Sequence, residues 1–112
     1  MPDNQDIKNI AAVIEQAVPA ERIYLFGSYA YGQPDANSDY DFFVVLPDGG
    51  MRPMEAMQKA QRAIYPMRLS KPVDVLASTQ SSFDAMRDTI NSVEKEVAQK
   101  GVLLFERRQL GA

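Results

Sequence analysis

Apolar residues at Ile7, Ile10, Ala11, Ile14, Ala17 and Val18 return at helical spacing along the start of the chain. That recurrence predicts an amphipathic helix over residues 3–18, with Asp3 as a candidate cap and Pro19 as its stop. The pattern then changes. Arg22–Phe26 is a short β-branched and aromatic run, which predicts a strand ended by Gly27. Residues 27–38 are small and polar, with Gly32, Pro34, Asp35 and Asn37 as turn markers; Tyr29, Ala30 and Tyr31 suit a single helical turn. Tyr40–Leu46 follows as a second strand. Its run Phe42-Phe43-Val44-Val45-Leu46 lacks polar alternation, so it predicts a strand buried on both faces, central in a helix-covered sheet.

Pro47-Asp48-Gly49-Gly50 closes that strand as a turn. A second long helix is expected over residues 53–65, with Pro53 in its first turn and Pro66 as its stop. Residues 72–77 carry a third strand around Val73-Asp74-Val75-Leu76. Phe83, Met86, Ile90, Val93 and Val97 then recur at three and four, with Ser81 or Ser82 as cap. Asn91-Ser92 breaks this segment into two shorter helices, and Gly101 ends it. Residues 102–105 make a fourth strand, expected at an edge. The order helix, strand, strand, helix, strand, helix, strand predicts a mixed α and β fold of the α+β kind, a small mixed sheet packed with helices.

Length narrows the organisation: 112 residues hold one core, so a single domain over residues 1–112 is expected, without mass for a separate substrate-binding domain. The apolar 46% and charged 24% are those of an ordinary globular chain. Cysteine and histidine are both absent, which excludes disulfides, thiol nucleophiles, zinc ribbons and the commonest general base. Catalysis is left to carboxylates, hydroxyls, amines or a hard, oxygen-ligated metal; magnesium fits that inventory and zinc does not. A reducing cytoplasm is compatible with it. The net charge of −3 leaves no basic stripe for gripping nucleic acid, so direct nucleic-acid binding is not expected. No apolar run has the length of a membrane span, and the acidic start Met1-Pro2-Asp3-Asn4-Gln5-Asp6 does not read as a signal peptide.

Three aspartates carry the chemistry. Asp39 and Asp41 flank Tyr40 at the entry to the most apolar strand, and residues two apart on a strand project from one face. Asp74 sits between Val73 and Val75 in another apolar strand. If the two strands are neighbours, all three carboxylates converge. Close anions in a partly dry place repel one another, and a divalent cation ligated by carboxylate oxygens removes that penalty. Singly, Asp39 reads as a turn residue and Asp74 as a strand-end charge; jointly they point to a metal. Gly27-Ser28, directly after a strand, is the second element. Glycine lets a ligand approach the backbone, and the N–H groups opening a helical turn face an anion such as phosphate.

Alone, that pair is a tight turn, and no Gly-Lys-Ser/Thr follows to make a Walker loop. Asp35, Asn37 and Asp39 imitate the first ligands of an EF-hand, but Tyr40 stands where glycine is required and Leu46 where glutamate is. Arg62, Arg68 and Lys71 are candidate triphosphate contacts, with ordinary surface charge as the default. Tyr29 and Tyr31 offer rings for stacking on a base or for packing, and Ser38 either bonds near the metals or starts the strand. Met51, Met54 and Met57 form a flexible apolar stripe, core by default and a partner interface otherwise.

Gly27-Ser28, ten intervening residues, then Asp39-Tyr40-Asp41 resembles the signature of the DNA polymerase β-like nucleotidyltransferase superfamily, and more narrowly its minimal (MNT) group. Ser38, the apolar strand after Asp41, Asp74 in its strand and the ending Gly101-Val102-Leu103-Leu104-Phe105-Glu106 extend the match over nearly the whole chain. The resemblance implies the nucleotidyltransferase fold and ATP as the nucleotide substrate. It implies that Asp39 and Asp41 help hold two Mg²⁺ ions, with Asp74 completing the catalytic ion's shell and helping to accept a proton. Gly27 and Ser28 would hold triphosphate oxygens, with Ser38 alongside. An acceptor hydroxyl then attacks the α-phosphorus and pyrophosphate leaves.

The MNT group further implies an antitoxin, in which AMP transferred to a tyrosine hydroxyl silences a partner HEPN-domain RNase toxin. Three alternatives stay open. One is an antitoxin acting by stoichiometric contact, with nucleotide binding secondary. Another is an enzyme for an aminoglycoside-like alcohol, working with a separate acceptor domain. The third is RNA end modification, which the acidic balance disfavours.

Overall fold

The computed structural model describes residues 4–35 and 37–107. In chain order these form α1 (Gln5–Ala17), β1 (Arg22–Phe26), α2 (Ser28–Tyr31), β2 (Tyr40–Leu46) and α3 (Pro53–Ile64). A 3-10 turn (Tyr65–Met67), β3 (Val73–Thr79), α4 (Gln80–Met86), α5 (Val93–Lys100) and β4 (Val102–Glu106) complete the order. The four strands make one mixed sheet in the order β3-β2-β1-β4. β2 runs antiparallel to β1 and parallel to β3, and β4 pairs antiparallel with β1 at the far edge. The α+β class expected from the element order is the class found.

β2 is buried from Phe42 to Leu46, as its unbroken apolar run predicts. The two-residue period of a strand divides that run between two cores. Phe42, Val44 and Leu46 join the larger one, with Ile7, Ile10 and Ile14 of α1 and Ala56, Ala60 and Ile64 of α3. Phe43 and Val45 face the other side, where Phe83 of α4 and Val97 of α5 cover them. Phe83 is fully buried, its ring centroid 5.6 Å from that of Phe43 and 5.9 Å from that of Tyr24. This second layer is built from two short helices, α4 against β2 and β3 and α5 against β1.

Several local expectations are corrected. The first helix is capped by Asn4, whose side chain accepts the Asp6 N–H at 2.8 Å; Asp3 lies outside the described residues. α4 is capped by Thr79, not by Ser81 or Ser82; the Thr79 hydroxyl accepts the Ser82 N–H at 3.4 Å. β3 runs two residues past Ala77 because it stays paired with β2 out to Leu46 opposite Thr79. The second long helix gives way to the 3-10 turn at Tyr65, where Pro66 cannot continue an α-helix. Gly101 ends α5 without a left-handed φ; a Cβ there would meet the Val97 carbonyl oxygen at 2.6 Å, so close approach is the reason for glycine.

The methionine stripe divides. Met51 is half-buried against the larger core, but Met54 is 63% exposed. Residues three apart drift around a helix, whereas Ala56, Ala60 and Ile64 keep one face inward and take the buried side of α3. Ile90 is likewise 76% exposed, in the link between α4 and α5 rather than on a helical face.

Phe83→Ala should remove the lid over Phe43 and cost about 3–5 kcal/mol of stability. Urea unfolding would show it as a lowered midpoint at unchanged slope; a loss below about 1 kcal/mol would mean that the second layer does not depend on this ring.

Candidate active site

Tyr40 sets the direction of both neighbouring carboxylates. Its N–H donates to the Pro72 carbonyl at 3.1 Å, and its ring packs at 4.7 Å, tilted, on Tyr29 within the larger core. The phenol accepts a hydrogen bond from Asn4 Nδ2 at 3.1 Å and donates to Asp6 Oδ2 at 3.5 Å. With Tyr40 held inward, strand alternation puts Asp41 on the opposite face, the side covered elsewhere by α4 and α5. The parallel register then sets Asp41 directly beside Asp74, and the antiparallel one sets it beside Phe26, the last residue before Gly27.

Gly27 closes the arrangement. Its φ of 78° lies in the region that disfavours side chains, and a Cβ built on it would collide with Asp41 Oδ2. The backbone of the Gly27-Ser28 turn therefore passes directly under the Asp41 carboxylate. Ser28 opens α2, whose turn is closed by Ala30 and Tyr31 N–H donating to the Gly27 carbonyl at 3.0 and 3.2 Å. Acid pair and glycine turn, separate motifs in the sequence, are one site.

Burial pushes the Asp41 carboxyl up from 3.8 to about 6, reinforced by the negative charges of Asp74 and Asp39 and by a hydrogen bond with Asp74. The carboxylates stand on an open shelf: Asp39 and Asp41 are half-buried and Asp74 is exposed. Among the described residues no three acidic side chains are drawn together tightly enough to ligate one ion as they stand. The donor chemistry nevertheless fits a hard dication. The Asp41–Asp74 pair supplies adjacent carboxylate oxygens, Asp39 lies within electrostatic reach, and a cation would offset the repulsion that raises Asp41.

The lesser candidates separate. The Ser38 hydroxyl accepts the Asp35 N–H at 2.8 Å and donates to Asp35 Oδ1 at 3.3 Å, so it closes the turn leading into Asp39. Tyr29 is a packing residue, whereas Tyr31 is 39% exposed, with Lys100 Nζ 5.6 Å from its ring centre. Lys71 reaches back to the site loop, donating to the Asp35 carbonyl at 3.3 Å and lying 5.9 Å from the Tyr29 ring centre. Arg62 and Arg68 are exposed on the α3 side of the sheet, away from the face that carries the carboxylates. What sequence reasoning missed is the anchoring role of Tyr40. The signal was present: an aromatic between two acids on a strand must point opposite to both.

The family model described as polymerase beta, nucleotidyltransferase, matches residues 8–110. The chain belongs to this family. A search of curated protein sequences finds no match. Among solved structures, this nucleotidyltransferase is similar to a candidate nucleotidyltransferase from Sulfolobus solfataricus, at 22% identity and a TM-score of 0.61, over 92% of this chain and 79% of that one. It is similar to a toxin-antitoxin with AMP-PNP, at 22% identity and 0.63, over 91% of this chain and 75% of that one. It is also similar to the toxin-antitoxin MntA-HpeT carrying two aspartate-to-glutamate changes, at 21% and 0.63, over 95% and 76%. At these identities the likeness is one of fold.

Two outcomes follow for this nucleotidyltransferase. Because the folded Asp41 binds its proton more tightly than the unfolded chain does, its charge carries no penalty below about pH 4. The penalty grows as pH rises from 3.8 to about 6 and is complete above that. In metal-free buffer, raising the pH through this window should therefore cost the wild type more melting temperature than it costs Asp41→Asn; parallel profiles would contradict it. Gly27→Ala, strained at positive φ and colliding with Asp41, should destabilise by about 1–3 kcal/mol. An unchanged denaturation midpoint would show that the turn is not so constrained.

Proposed function

We propose that this nucleotidyltransferase, a single domain over residues 1–112, is a Mg²⁺-dependent protein adenylyltransferase acting as a cytoplasmic antitoxin. It moves AMP from ATP to a hydroxyl, that of a tyrosine, on a partner HEPN-domain RNase toxin. The observation that carries the reading is Asp41 in register beside Asp74 with the Gly27 backbone under its carboxylate. A metal-ligating acid pair and a phosphate-cradling turn meet there. Similarity in fold to a toxin-antitoxin with AMP-PNP, and to MntA-HpeT altered at two aspartates, supports the choice of role.

Asp39, Asp41 and Asp74 would hold the magnesium, which when bound neutralises phosphate charge and lowers the pKa of the acceptor hydroxyl. Gly27 and Ser28 hold triphosphate oxygens from below. Ser38 fixes the turn that delivers Asp39, and from that position borders the nucleotide. The acceptor oxygen bonds to the α-phosphorus as the bond to the bridging oxygen breaks, and that electron pair leaves with pyrophosphate. Asp74, the exposed member of the pair, is open to an acceptor and would take its proton.

Intact-mass spectrometry of the partner toxin, incubated with this protein, ATP and Mg²⁺, is the direct test. A gain in whole AMP units is expected, absent with EDTA and absent with the Asp39→Ala, Asp41→Ala variant. A stable complex without mass gain would replace transfer by neutralisation through contact. Neither complex nor gain would turn the search to small-molecule acceptors. In parallel, Mg²⁺ at pH 7.5 should raise the melting temperature of the wild type and leave that of Asp41→Asn unmoved.

A further inference from the structure

Ala56, Ala60 and Ile64 of α3 face the core, while Met54, Met57 and Gln61, with Tyr65 of the 3-10 turn, follow one another on the outer side at spacings of three and four. Met54 is 63% exposed and Tyr65 85%. Beside this stripe run two adjoining grooves of about 580 and 650 Å³ that share Gln61 and Tyr65. Ile64, Leu69 and Val73 make the first apolar, and Met57 does so for the second. A half-buried methionine and an exposed tyrosine along a groove, with the exposed Met54 nearby on the same helix, are what an adaptable docking surface presents.

Charge selects the occupant. Arg62, Arg68 and Lys71 line the grooves and no carboxylate does, although the chain as a whole carries −3. Among the described residues neither Arg62 nor Arg68 is in an ion pair. The two arginines beside a partly apolar floor suit a few carboxylates and an apolar helix face. They are too few for a polynucleotide, whose grip needs many phosphate contacts and which the overall charge repels.

The first groove borders β3. Gln61 Nε2 donates to the Val73 carbonyl at 2.8 Å, and Asp74, the next residue, turns to the opposite face of the sheet. Lys71 donates to the Asp35 carbonyl, in the loop that leads to Asp39. We infer that this groove docks an acidic amphipathic segment of a partner protein. That the partner is also the acceptor rests on the nucleotidyl-transfer reading; the docking does not.

The probe is a fluorescein-labelled amphipathic peptide rich in glutamate with one tyrosine, followed by anisotropy, with a lysine-for-glutamate version as control. The wild type should bind the acidic peptide and not the basic one, and rising salt should weaken binding. Arg62→Glu with Arg68→Glu should weaken it at least ten-fold, as should Met54→Asp with Tyr65→Ser, while Lys95→Glu on the opposite face of the sheet should not. Unfolding curves confirm that each variant is folded. No binding by the wild type, equal binding of both peptides, unchanged binding by the arginine variant, or tighter binding of a single-stranded oligonucleotide would each overturn the inference. Fluorescent ATP with Mg²⁺ on the same samples separates the two ideas. Loss of nucleotide binding in the wild type sinks the transfer reading, whereas intact nucleotide binding with an indifferent groove sinks only this one.

Discussion

The pairing of β2 with β3, parallel and in a register that sets Asp41 opposite Asp74, is the constraint on which the rest of the molecule depends. Two carboxylates side by side on neighbouring strands oppose folding; burial does most to raise Asp41 to about 6, and the charge of Asp74 adds to it. The register holds because every other step of the ladder favours it. Phe42 lies beside Val75 and Val44 beside Ala77 on the larger core, and Tyr40 beside Val73 at its rim. A slip of one residue would turn Phe42, Val44 and Leu46 out of that core, a loss of several buried side chains against one repulsive pair. Apolar packing thus holds the acids together.

The same alternation explains why so much was legible beforehand. β1 and β2 have the bounds expected from composition, because Gly27 and the Pro47-Asp48-Gly49-Gly50 turn end them locally. Spacing alone predicts a shared face for Asp39 and Asp41; β2 begins at Tyr40, so Asp39 stands just before the strand, and Tyr40, buried with Tyr29, explains why Asp41 points the other way. What periodicity does not encode is who pairs with whom. The adjacency of β3 to β2 is a long-range fact, bridged by α3 and fixed by the contacts of Ala56, Ala60 and Ile64 with the larger core. Until it is known, Asp74 is one acid among several.

Errors concentrate where a short-range rule met a longer-range competitor. Ser81 and Ser82 are good cap residues by type, but β3 runs on beside β2 to Thr79 and hands the cap to that residue, while the Ser81 N–H and hydroxyl go to Asp48. Apolar character predicts a core place for the methionines, yet the inward side of α3 is taken by Ala56, Ala60 and Ile64, and Met54 is left exposed. Ser38 is the site residue whose part changed most, because its hydroxyl is committed to the Asp35 turn.

An open shelf and an apolar-backed basic groove are two consequences of one economy. A chain of 112 residues that spends its central strand on two cores has short helices left for the second face, so the carboxylates beyond Phe83 and Val97 stay accessible. A site that transfers a nucleotide must exclude water at the reacting phosphorus or lose its product to hydrolysis. On this face Asp74 is exposed, whereas α5 comes up beside the glycine turn, with Lys100 Nζ 5.6 Å from the Tyr31 ring centre. On the nucleotidyl-transfer reading, the side that Asp74 leaves open is the one a bound partner would have to close.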